Sequence, residues 1–88
     1  MATSTHACAD PRASLADRVR ASRLPPPDVR QRIRREARVP LREMATHLEV
    51  TPMTVLRWER GEAEPRIDHA ISYRRLLDEL VQVMRETA

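Results

Sequence analysis

The stretch from Leu41 to Gly61, LREMATHLEVTPMTVLRWERG, decides the fold. Its apolar residues fall at helical spacing on both sides of a short polar break, with Met44, Ala45 and Leu48 before it and Val55 and Trp58 after it. Thr51-Pro52 supplies a cap and a first-turn proline for a helix over Met53 to Arg60. Gly61, the only glycine in the chain, follows that helix where a left-handed closing residue is wanted. Two helices crossing at about 90 to 120° through a turn of three or four residues need a small residue where their backbones approach, and Ala45 is placed for it. Met44, Leu48, Val50, Val55 and Trp58 occur at the offsets that fill the inside of the angle. The pattern is a helix-turn-helix, a motif that points to double-stranded DNA.

Upstream, Pro40 separates the motif from an arginine-rich helix over about Asp28 to Arg38, whose apolar edge is thin: Val29, Ile33 and Ala37. One narrow face is expected to be buried. Pro25-Pro26-Pro27 must end any earlier helix, and the same prolines can launch the next one. A short helix is expected over 14–23, because Ser14 and Asp17 make a capping-box-like start and Leu15 and Val19 lie one turn apart. Residues 1–13 are small and polar without an apolar period, the composition of a disordered tail. Downstream of the loop Glu62 to Pro65, a long helix from about Ile67 to Arg85 carries Ile71, Leu76, Leu77, Leu80, Val81, Val83 and Met84, an apolar set wider than one face. There is no β pattern and no internal repeat. The expected class is all-α, a bundle of four to five helices. The tail, 1–13, is followed by a helix and proline linker, 14–27, then a DNA-binding core, 28–66, and a long last helix, 67–88.

The chain of 88 residues suits one small domain, burying roughly 60% of the surface its unfolded form exposes. A large enzyme cleft is not expected. The single Cys8 has no disulfide partner, no apolar run reaches the ~18 residues of a membrane span, and no secretory start is visible. The sequence therefore reads as soluble and cytoplasmic. All sixteen basic residues are arginine, with Lys, Phe and Asn absent. The arginine fork suits phosphate and guanine, while a GC-rich genome explains the same bias more simply. The formal charge of +3 is permissive. Its placement says more, since residues 1–27 carry four Arg against two Asp and residues 28–66 carry nine Arg against seven acids. His6, His47, His69 and Cys8 are scattered, without the paired ligands a zinc ion needs, and the acidic pairs have no nucleophile or glycine-rich loop beside them. No metal, cofactor or catalysis is expected.

Residues 28–80 resemble the Cro/C1-type, or XRE-type, helix-turn-helix family of phage and bacterial repressors. The family's usual pattern has an Arg in the first helix, a small residue in the second, an LGVS turn, a TVSRWERG third helix and a proline soon after. Here these are Arg34, Ala45, Leu48-Glu49-Val50-Thr51, Thr54-Val55-Leu56-Arg57-Trp58-Glu59-Arg60-Gly61 and Pro65. The resemblance implies a lambda repressor-like bundle with the helix Pro52 to Arg60 in the major groove. It also implies a structural pair, Arg34 with Glu59, tying the first helix to the recognition helix. Three residues depart from the pattern. Glu49 and Arg38 stand where glycine is usual, placing a Cβ where positive φ is expected at about 1 kcal/mol apiece, and Pro40 replaces the usual Ser or Thr cap.

Base readout is assigned to the amino-terminal side of the recognition helix, Thr51, Pro52, Met53 and Thr54, with Arg57 one turn on. Arg57 suits the O6 and N7 of guanine, and Met53 and Pro52 suit a thymine methyl. Met53 packed in the core and Pro52 as a mere helix starter are the plainer alternatives. Phosphate contacts are assigned to Arg42, Thr51, Arg60 and Arg66, with Arg30, Arg32 and Arg35 as weaker candidates. Trp58 is read as core. The wide apolar set of the last helix suggests a homodimer; the alternative is that Val81, Val83 and Met84 fold over the helix at 14–23. The reading is a DNA-binding transcriptional repressor. Two alternatives stay open: an antitoxin-type module that also binds a protein partner through the tail or last helix, and an excisionase-like DNA-bending factor. The second normally adds a β wing, which the helical pattern after Pro65 opposes.

Overall fold

The computed structural model describes residues 11–88, and every element among them is helical: α1 Pro11–Ala21, α2 Pro27–Glu36, α3 Leu41–Leu48, α4 Pro52–Arg60 and α5 Ile67–Thr87. The expected all-α bundle with an embedded helix-turn-helix is what forms. Three of the breaks between helices are made by proline. Pro25 and Pro26 lie between α1 and α2, Pro27 opens α2, Pro40 precedes α3 and Pro52 opens α4. A proline at a first helical position gives up an N–H that has no intrahelical partner, so it starts a helix without weakening it. At α4 the cap is complete: Thr51 is extended (φ −84°, ψ 155°) and its hydroxyl accepts the Thr54 N–H at 3.2 Å.

The closures of α2, α3 and α4 share one geometry. Arg38, Glu49 and Gly61 are left-handed, with φ of 60°, 59° and 73°. Each closure has the same two bonds. Val39 donates to the Arg34 carbonyl at 3.1 Å and Arg38 to Arg35 at 3.0 Å; Val50 donates to Ala45 at 3.0 Å and Glu49 to Thr46 at 3.3 Å; Glu62 donates to Arg57 at 3.0 Å and Gly61 to Trp58 at 3.3 Å. These are Schellman closures, and two of the three are made without glycine, as the departures at Arg38 and Glu49 implied.

Met44, Ala45, Leu48, Val55, Trp58, Tyr73 and Leu77 form the core, with Leu24, Ile33, Val39, Leu41, Val50, Leu76 and Leu80 packed against it. α3 and α4 pack on one another, α2 and α5 flank them, and α1 lies against α5. The motif residues therefore fill the angle between α3 and α4 as their spacing required.

Three sequence expectations need correction, and a fourth lies mostly outside the described residues. The helix at 14–23 runs instead over Pro11–Ala21, so Ser14 lies inside it and the opening residue is a proline. The tail expected at 1–13 falls outside the described residues up to position 10, and its last three positions belong to α1. Leu15 and Val19 remain exposed, at 62% and 47%. The apolar edge of α2 is only half-buried, and the two residues of α2 that are fully buried are Arg30 and Arg34. The long last helix fully buries only one stripe, Ala70, Tyr73 and Leu77, of which the expected apolar set contained Leu77 alone. Val81 and Met84 are half-buried while Val83 is exposed.

Candidate nucleic-acid interface

α4 has two faces with opposite tasks. Val55, Trp58 and Glu59 are buried at 0%, 4% and 4% exposure, and they hold the helix to the rest of the bundle. Thr51, Pro52, Met53 and Arg57 are exposed, and Thr54 is half-exposed. Met53, at 54% exposure, is outside the core, which removes the plainer reading of that residue. The hydroxyls of Thr51 and Thr54 lie 2.9 Å apart, so both side chains are oriented by the cap. Arg42, near the start of α3, and Arg60 and Arg66, at and beyond the end of α4, are exposed as well. Among the described residues Arg42, Arg57 and Arg66 form no ion pair, and Arg60 meets only the exposed Glu62 at 4.0 Å.

The inner face of α4 is fastened by charge. Arg34 donates from Nε to Glu59 Oε2 at 2.6 Å and from Nη2 to Oε1 at 3.0 Å, and its Nη1 donates to the Val39 carbonyl at 2.9 Å. One guanidinium thus joins α2, the turn into α3 and α4. A fork with both carboxylate oxygens engaged is the geometry that offsets the desolvation of two buried charges. The pair that the family resemblance implied is present, with its glutamate side chain fully enclosed.

A second buried arginine escaped the sequence reading. Arg30, grouped there with Arg32 and Arg35 as a weak phosphate candidate, is only 3% exposed and is unavailable to a ligand. Its Nε donates to the Pro25 carbonyl at 2.7 Å, Nη1 to the Trp58 carbonyl at 3.3 Å and Nη2 to Glu64 Oε1 at 3.3 Å. The guanidinium also lies 5.8 Å from the centroid of the Tyr73 ring, within cation–π range. Its four-residue spacing from Arg34 puts both on one helical face, the one signal in the sequence that could have found it.

Tyr73 closes this polar patch from α5. It is fully buried, and its hydroxyl has no hydrogen-bond partner among the described residues. Burial, with the Glu59 carboxylate as a lesser cause, pushes its phenol up to about 12. The Trp58 ring packs 5.3 Å from Tyr73 and 5.8 Å from His69, centroid to centroid. Trp58 is a core residue, as read.

Among the described residues no cluster of side chains could hold a metal ion, and no helix is long and apolar enough to cross a membrane. No curated protein and no solved structure matches the chain. A family model described as helix-turn-helix matches residues 31–80, a span of more than half the chain that covers α3, α4, most of α2 and two thirds of α5. With both motif helices, their packed angle and the Arg34–Glu59 pair in place, the chain belongs to the XRE, or Cro/C1-type, helix-turn-helix family of DNA-binding transcription regulators.

Proposed function

We propose that the protein is a sequence-specific regulator, a repressor that occupies promoter DNA as a small homodimer with α4 in the major groove. The observation that carries this reading is the division of α4. Its inner face is locked by Val55, Trp58 and the Arg34–Glu59 fork, while Thr51, Pro52, Met53 and Arg57 face solvent with no competing ion pair among the described residues. A side chain that must reach a base edge needs that combination of fixed origin and free head. Arg57 contacts guanine O6 and N7, Met53 and Pro52 lie against a thymine methyl, and Thr51 and Thr54 complete the readout. The phosphates are held by Arg42, Arg60 and Arg66 and by Thr51 at the amino terminus of α4, where amides and dipole favour an anion.

Exposed Leu15, Val19 and Val83 support a second chain beside this one, since these apolar side chains on α1 and α5 are left uncovered by the described residues. Dimerisation would set two copies of α4 on major-groove faces about 34 Å apart and require a near-palindromic operator. The same residues serve a protein partner in the antitoxin-type alternative. The uninterrupted helix after Pro65 favours either of these over a DNA-bending factor with a β wing.

Selection of binding sites from random duplex DNA tests the reading, a dyad in the enriched sequence supporting the dimer. Arg57→Ala should then relax preference at one position by about 1–3 kcal/mol, whereas Arg42→Ala should weaken all duplexes alike and reduce the salt slope by about one. Equal loss on selected and random DNA for Arg57→Ala would remove the guanine assignment.

A further inference from the structure

The matched span begins at residue 31, so α1 and the proline linker stand outside it, and Arg30 lies one residue before it. Yet the Arg30 guanidinium is among the most buried groups in the chain, and each of its three polar contacts reaches a different segment. Pro25 belongs to the linker after α1, Trp58 to the last turn of α4, and Glu64 to the loop between α4 and α5. The contact to Trp58 is made to a helix-end carbonyl, which also accepts the Gly61 N–H at 3.3 Å. Beside it, the Cγ of Pro27 lies 3.5 Å from where a Cβ on Gly61 would stand, so the first residue of α2 and the closure of α4 meet closely. α1 in turn is tied to α5 by the pairing of Asp17 with Arg75, and the linker after it by Arg74, which donates to the Arg23 carbonyl at 2.6 Å.

We propose that Arg30 is a positioning residue that sets the attitude of the recognition helix through the proline linker, making the added segment α1 and its linker part of the DNA-reading geometry. The Arg34–Glu59 fork holds α4 near its carboxyl end from one side; Arg30 fixes the same end against the linker. With both in place, rotation of α4 about the fork is blocked, and the amino-terminal side chains that read bases keep one orientation. Lysine cannot substitute, because a single ammonium on a flexible stem does not reach a carbonyl on each side and a carboxylate in one plane. The proposal rests on the reading of α4 as the DNA-contacting helix.

The test uses the full chain with Arg30→Lys and Arg30→Met, at a temperature where thermal unfolding shows each variant fully folded. If Arg30→Met does not fold, Arg30→Lys, which keeps the charge, carries the test. Amide hydrogen exchange and the emission of Trp58, the only tryptophan, report the local structure. Affinities for a selected duplex and for a random one report readout. The expected result is faster exchange at Gly61 and Glu62 and in α1, with affinity for the selected duplex falling about tenfold, the equivalent of one bidentate base contact, while the random duplex changes less than about twofold. Faster exchange with an unchanged ratio of selected to random affinity makes Arg30 a stability residue alone and overturns the proposal, as does unchanged exchange. If the wild-type chain selects no duplex at all, the DNA reading fails by itself, and the linkage of α1 to α4 is then kept or overturned by the exchange measurement.

Discussion

Arg38 and Glu49 hold the left-handed conformation that Gly61 adopts freely, and replacing each with glycine should stabilise the protein. An L-residue in this region costs about 1–2 kcal/mol. Glycine removes that strain but frees the unfolded chain, which takes back about 0.4–1 kcal/mol. The difference is roughly 0.5–1 kcal/mol per site in favour of glycine. Neither side chain offsets it: both residues are exposed, and among the described residues neither makes a side-chain hydrogen bond or ion pair. The closing bonds are backbone bonds at 3.0 to 3.3 Å and survive the change. Arg38→Gly and Glu49→Gly together should add about 1–2 kcal/mol, which for a domain of this size raises the melting temperature by about 4–8 °C per kcal/mol. Gly61→Ala is the opposing control. Its new Cβ would meet Pro27 Cγ at 3.5 Å, an ordinary contact, so its cost of about 1 kcal/mol would come from the backbone alone. Circular-dichroism melts of the four chains measure all of this. If both glycine substitutions lower the melting temperature while Gly61→Ala leaves it unchanged, the account of these closures is wrong.

Cutting the Arg34–Glu59 fork from one side, with Glu59→Ala, should cost about 3–5 kcal/mol because Arg34 is left charged and enclosed, whereas Arg34→Met with Glu59→Leu should recover most of the loss; denaturant unfolding of the single and double variants compares them. Tyr73 makes stability fall in base: the unfolded phenol titrates near pH ~10 and the folded one at about 12. The difference, about 2–3 kcal/mol, is the penalty for enclosing the tyrosinate, so stability is undiminished below pH ~10 and falls by that amount as pH rises through the interval. With one tyrosine and no lysine in the chain, tyrosinate absorbance follows this group alone, and a folded-state midpoint near 10 would contradict it. Tyr73→Phe deletes a buried hydroxyl that has no partner among the described residues, so it should be neutral or stabilising by about 1 kcal/mol and should abolish that alkaline loss in urea titrations. Thr51→Ala should cost about 1 kcal/mol through the lost cap of α4, read from the same melts.

The helix ends were legible because their causes are local. Prolines at 27, 40 and 52, the Thr51 cap and the glycine at 61 act on the residues beside them, and the pattern from Met44 to Trp58 needs only a 3.6-residue period to be read as two packed helices. The start of α1 was misplaced, since Ser14 and Asp17 give the capping signal inside a helix that a proline had already begun three residues earlier. The exposed half of the site was legible as well, because the side of α4 away from the apolar stripe is set by the same period.

By itself the sequence determined the helices, their closures through left-handed residues, the core of the motif and the surface of α4 that faces outward. Only the tertiary structure decided which charges go inside. Arg30, Arg32, Arg34 and Arg35 are indistinguishable by composition or local propensity, yet two are buried and two are exposed. The difference lies in acceptors 25, 28 and 34 positions away, the Glu59 carboxylate, the Trp58 carbonyl and Glu64. A buried guanidinium is tolerated only where such acceptors converge, and their convergence exists only after α2, α4 and the loop beyond it have packed.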